Sequence, residues 1–64
     1  MYTELKFNKG KIYEDEFGRG LRFKYKGYLY EFEEVTYNIK RGQFVTTHCE
    51  IRLTAMEARK LRAI

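Results

Sequence analysis

The chain has 64 residues, enough for one small domain, and no apolar run long enough to cross a membrane as a helix. Its formal net charge of +4 favours polyanions, without the dense basic tail of a dedicated nucleic-acid arm. Cys49 is the one cysteine, which excludes a disulfide framework, and no Cys/His cluster is spaced to ligate a metal.

A single domain over residues 1–64 buries only about 60% of its unfolded surface, so its stability is marginal. Aromatic packing from six Tyr and five Phe, or a second copy of the chain, has to make up the difference. A lone cysteine and the lack of a charged-then-apolar leader fit a cytoplasmic protein.

Residues 2–8 alternate Leu5 and Phe7 against Glu4 and Lys6, the pattern of a first strand, and Lys9-Gly10 follows as a turn. In residues 11–17, read as a strand, Ile12 can return against Phe7 before Glu14, Asp15 and Glu16 dilute the apolar pattern. The acidic run is not a metal site: adjacent carboxylates on an extended segment point to opposite faces, and no second aspartate completes a shell. Gly18 and Gly20 make residues 17–20 a flexible connection.

Residues 21–53 organise the rest. Leu21, Phe23 and Tyr25 alternate with Arg22, Lys24 and Lys26, and after Gly27 the phase continues through Tyr28, Tyr30 and Phe32. A two-residue Lys26-Gly27 loop would pair Tyr25 with Tyr28, Phe23 with Tyr30, Leu21 with Phe32 and Arg22 with Glu31. The apolar phase then slips by one residue between Phe32 and Val35, which places a bulge at Glu33-Glu34. A Lys40-Arg41-Gly42 loop with Gly42 left-handed pairs Tyr37 with Val45 and Val35 with Thr47; past the bulge, Phe32 meets Cys49, Tyr30 meets Ile51 and Tyr28 meets Leu53.

Thr54 and Glu57 have capping-box spacing, and residues 55–64 are mostly good helix formers with Ala58, Leu61 and Ile64 on one stripe. Arg59, Lys60 and Arg62 lie off it, where cations suit the helix C-terminus. One short helix cannot cover the apolar side chains offered, Tyr13, Tyr25, Tyr28 and Tyr37 on one face and Leu29 and Phe44 on the other. The sheet therefore curls into a half-barrel or is covered by a second copy in a homodimer.

Catalysis finds little to work with. The chain has no Ser, and its one His, His48, adjoins Cys49 on a strand, where neighbours project to opposite faces. Cys49 reads as a small buried hydrophobe and His48 as an exposed residue opposite the bulge. Glu31 and Glu50 neighbour Arg22 and Arg52, a charge lattice and not a catalytic carboxylate pair. Without a Gly-rich phosphate loop, no cofactor is indicated.

Aromatics beside cations are what single-stranded nucleic acids use, bases stacking on rings while Lys and Arg meet phosphates. The candidate contacts are Arg22, Lys24, Tyr25, Lys26 and Tyr28 around the first turn, and Lys40 and Arg41 at the second. The order of strands and then a closing helix entered through Leu53-Thr54-x-x-Glu57-Ala58-x-x-Leu61 resembles the small single-strand-binding coactivators, at the level of topology. That resemblance implies a single-stranded nucleic-acid partner.

The fold expected is α+β: a curved antiparallel meander of four or five strands with one C-terminal helix packed on it. The function expected is that of a small non-enzymatic protein engaging nucleic acid or a nucleic-acid-handling complex. A regulatory module that binds a partner protein through a sheet edge or exposed aromatics is the alternative.

Overall fold

A computed structural model describes residues 6–64. It is mostly β: β1 (Ile12–Glu14), β2 (Gly20–Lys26), β3 (Tyr30–Asn38), β4 (Gln43–Leu53), a short helix α1 (Ala55–Ala58) and β5 (Arg62–Ala63). The strands form one antiparallel sheet in the order β4-β3-β2-β1-β5, whose two outer strands do not meet, so the sheet is open.

The central meander forms as its alternation predicts, and one face gathers the core. Tyr13, Leu21, Phe23, Tyr30, Phe32 and Ala58 are buried together, with Phe7, Ile51, Leu53, Ala55 and Leu61 packed against them. Phe32 and Leu21 are completely enclosed. Phe7 supplies the hub: its ring lies 5.0 to 5.5 Å from those of Tyr13, Phe23, Tyr30 and Phe32. Three of these contacts are edge-to-face, the arrangement favoured by the ring quadrupole. The strand expected over residues 2–8 falls partly outside the described residues; Lys6, Phe7 and Asn8 are not strand, and Phe7 serves as a lid on the aromatic cluster instead of pairing with Ile12.

Pairing in the first hairpin differs from the expected register. Phe23 lies opposite Phe32, Arg22 opposite Glu33 and Leu21 opposite Glu34, while Lys26 pairs with Tyr30 across residues 27–29. The longer turn advances β3, and Lys24 is the extra residue that absorbs the difference. This sets Phe23 edge-to-face against Phe32, ring centroids 5.3 Å apart, where the shorter loop would have put Tyr30.

The second slip occurs where expected along β3 but on the other strand. Glu33 faces Glu50 and Val35 faces Thr46, so Thr47, His48 and Cys49 bulge opposite Glu34. His48 sits at φ 67°, and its N–H donates to Thr46 Oγ1 at 3.1 Å. From Phe32 to Val35, β3 pairs residue for residue with Phe23 to Gly20 of β2, so Val35 is not on the core face. It is buried on the opposite one, against the bare Cα of Gly20, where an added Cβ would stand 3.1 Å from Val35 Cγ2. Cys49, expected to be buried, is exposed on the bulge.

At the second turn Gly42 is left-handed as expected (φ 67°), and the loop is one residue longer, with Asn38 facing Gln43 and Tyr37 facing Phe44. Residues 15–19, expected as part strand and part flexible connection, form a tied turn. The N–H groups of Phe17 and Arg19 donate to Asp15 Oδ1 at 3.0 and 2.8 Å.

The C-terminal helix is much shorter than its propensities suggest. The capping box forms: Glu57 N–H donates to Thr54 Oγ1 at 3.3 Å and Thr54 N–H to Glu57 Oε1 at 2.9 Å. After Ala58, which is buried in the core, the chain turns, and Arg62 and Ala63 pair with Glu14 and Tyr13. Covering the otherwise open β1 edge satisfies backbone groups that a continued helix would leave unpaired, and this long-range gain overrides local propensity. The helical stripe is thereby dissolved: Ala58 is enclosed, Leu61 packs on the core and Ile64 is exposed. The ending in a strand also removes the closing helix on which the topological resemblance to single-strand-binding coactivators rested.

Candidate nucleic-acid interface

The face opposite the core carries a lattice of ion pairs. Arg22 Nη1 lies 2.9 Å from Glu33 Oε1, Lys24 Nζ 3.2 Å from Glu50 Oε1, and Arg52 Nε 3.0 Å from Glu31 Oε1. The hydrogen bond from Lys24 to Glu50 pushes the ammonium of Lys24 up from its ordinary value, and Glu31 does the same for Arg52. Glu33 and Glu50 stand directly across from one another, a like-charge pair that these cations offset. Arg22 and Lys24 are therefore committed to carboxylates, and the middle of this face carries no cationic surplus.

The other expected contacts divide between the two ends of the sheet. Tyr25 and Lys26 close β2, followed by Tyr28 at the turn, and Lys40 and Arg41 lie beyond β3. At about 3.4 Å per residue, the nine residues of β3 hold these groups about 27 Å apart. The seven candidates thus do not form one patch. Tyr28 is wholly exposed and Tyr25 is 56% exposed. Lys26 Nζ lies 5.4 Å from the centroid of the Tyr30 ring, a cation–π distance.

The distribution of acids sharpens the division. From Val35 to Cys49 the sequence contains no Asp or Glu. Lys40 and Arg41, exposed at the tip of that stretch, make no side-chain ion pair among the described residues. The tip is held by Asn38, whose Oδ1 accepts the Arg41 N–H at 2.9 Å and whose carbonyl accepts the Gly42 N–H at 2.8 Å. Tyr37 and Ile39 are 53% and 87% exposed beside it.

Two further cations were not among the expected contacts: Lys9, read as a turn residue, and Lys11, read as the start of a strand. Both are exposed, and the chain between them is tied to β2 by the Gly10 N–H donating to the Phe23 carbonyl and the Phe23 N–H to the Lys11 carbonyl, each 3.0 Å. This brings two further cations alongside the β2 segment that leads to Tyr25 and Lys26. The signal was present in the sequence, since no Asp or Glu occurs between Glu4 and Glu14.

The acidic turn is neutralised locally. Glu14 pairs with Arg62 at 3.0 Å, Asp15 with Arg19 at 2.7 Å and Glu16 with Lys60 at 3.8 Å. Burial works to raise the Asp15 carboxyl, but hydrogen bonds from Arg19 and Phe17 outweigh it and hold the group below its usual value. Among the described residues, no three His, Cys, Asp or Glu side chains gather as metal ligands, and no helix is long and apolar enough to cross a membrane. Comparison with protein-family models, characterised proteins and solved structures gives no match.

Proposed function

We propose that the protein is a non-enzymatic binding protein that engages nucleic acid. The observation that carries this reading is the segregation of charge: carboxylates and cations cancel across the middle of the outer face, while Lys40 and Arg41 at one end and Lys9 and Lys11 alongside β2 are exposed and make no side-chain ion pair among the described residues. Such spacing suits an extended polyanion, whose phosphates can be met at separated points, better than a single small anion.

Fluorescence anisotropy with labelled oligonucleotides at low salt tests it. Binding should weaken steeply as salt rises, and Lys9→Gln/Lys11→Gln or Lys40→Gln/Arg41→Gln should weaken it more than Arg22→Gln, whose cation is already engaged. No binding to any oligonucleotide at low salt removes the reading.

A second reading, a regulatory module that binds a partner protein, is favoured by the position of β4. Among the described residues, its eleven residues lie at the sheet border with a neighbouring strand on one side only. A pull-down from native lysate with and without nuclease separates the two: nuclease-sensitive capture supports the first, and nuclease-resistant capture supports the second.

A further inference from the structure

Past Val35 and Thr46 the sheet narrows to two strands. The first residue of β2, Gly20, pairs with Val35, and beyond it only Thr36 with Val45, Tyr37 with Phe44 and Asn38 with Gln43 continue the ladder to the turn. Three pairs amount to about 10 Å of ribbon, and the turn adds to its reach. The ribbon is braced at both ends. At its base, the Thr47 hydroxyl donates to Glu34 Oε1 at 2.8 Å; at its tip, Asn38 holds the turn through the bonds described above. Between them, Tyr37 and Phe44 meet edge-to-face at 5.2 Å.

We infer that this ribbon, residues 36–45, is an arm that enters the major groove of double-stranded DNA, with Lys40 and Arg41 meeting phosphates or base edges and Ile39 offering an apolar contact at the tip. The inference rests on the nucleic-acid reading and narrows it to a duplex. The major groove of B-form DNA is about 12 Å wide and about 8.5 Å deep and admits two strands about 4.8 Å apart with their side chains, whereas the minor groove, about 6 Å wide, takes strands only where the duplex is bent and the groove opened, at a deformation cost. The major groove of A-form RNA is too narrow for side chains to read. Stacking on single-stranded bases fits this element less well, because the Tyr37 ring is already engaged with Phe44. Charge suits any polyanion: the arm carries Lys40 and Arg41 and no acid, and the carboxylates of the acidic turn are paired.

The test is anisotropy of the full chain at low salt with a DNA duplex about two helical turns long, an RNA duplex and a DNA single strand of the same sequence. The duplex DNA should bind at least about ten-fold tighter than either rival, and a minor-groove ligand should not displace the protein. Lys40→Gln/Arg41→Gln, with circular dichroism and melting temperature unchanged, should weaken duplex binding by about ten-fold or more and reduce the log–log salt slope by roughly two. Ile39→Thr should weaken it by a smaller factor without altering the slope. A folded Lys40→Gln/Arg41→Gln variant that binds duplex DNA as the wild type does, a preference for single strands, or displacement by the minor-groove ligand overturns the arm. If binding is then lost in Lys9→Gln/Lys11→Gln, the broader nucleic-acid reading survives. Absence of binding to all three probes overturns both.

Discussion

Arg22 and Glu33 face each other across β2 and β3, with Nη1 and Oε1 2.9 Å apart and both side chains about a quarter to a third exposed. The pair reports the true register of the hairpin, since a two-residue loop would have placed Arg22 against Glu31. Glu33→Gln is expected to cost about 0.5 kcal/mol, within the range of partly exposed ion pairs. It should also free Arg22 and strengthen binding to polyanions. Denaturant titration measures the first effect and anisotropy the second; weaker polyanion binding by this variant would contradict the charge lattice.

Two core tyrosines make opposite predictions. The Tyr13 hydroxyl accepts the Asn8 N–H at 2.9 Å, whereas the buried Tyr30 hydroxyl has no hydrogen-bond partner among the described residues. Tyr13→Phe should lose about 1 kcal/mol by leaving that N–H unpaired, and Tyr30→Phe should be neutral or gain up to about 1 kcal/mol. Urea midpoints of the two variants, compared at equal slope, decide the matter.

His48 occupies left-handed backbone at φ 67°, a region that β-branched residues strongly avoid. His48→Val should cost about 1–2 kcal/mol, and His48→Gly or His48→Asn should be tolerated. Equal melting temperatures for the Val and Gly variants would mean that the bulge is not rigidly formed.

The capping box links stability to acid. The Thr54 backbone N–H first, and its hydroxyl second, hold the Glu57 carboxyl below its ordinary value of 4.5. A carboxyl depressed in the folded state contributes stability that is complete above the unfolded value and lost as pH falls through the folded one. The stability gap between wild type and Glu57→Gln should therefore narrow as pH drops from about 6 towards 3. Thr54→Ala should cost about 1 kcal/mol near neutral pH by removing the cap. Both follow from denaturation series across pH.

The meander, the left-handed Gly42, the capping box and the shared face of Phe23 and Ile51 were legible because each is written in local alternation or in a specific turn residue. The bulges were harder. A one-residue phase change shows that a ladder slips, but not which strand holds the extra residues, and Val35 can be buried on the outer face because Gly20 leaves it room. The tail from Arg59 onward was misread because its helix propensity is local and the β1 edge it covers is distant in sequence. Arg22 and Lys24 were chosen as contacts for their sign, and the carboxylates that engage them become visible only once the strands are paired. Lys9 and Lys11 come alongside β2 only through the backbone bonds of Gly10 and Lys11 to Phe23, which join segments distant in sequence.

The kink at Thr47, His48 and Cys49 has a consequence beyond the geometry of one hairpin. A straight border strand of eleven residues would offer an unbroken template on which further chains could stack without limit. Here the template is divided into residues 43–46 and 50–53, out of step with each other, so an incoming strand can follow one half only by losing the other. The left-handed turn of the backbone at His48 is thus expected to oppose strand-on-strand stacking along this border.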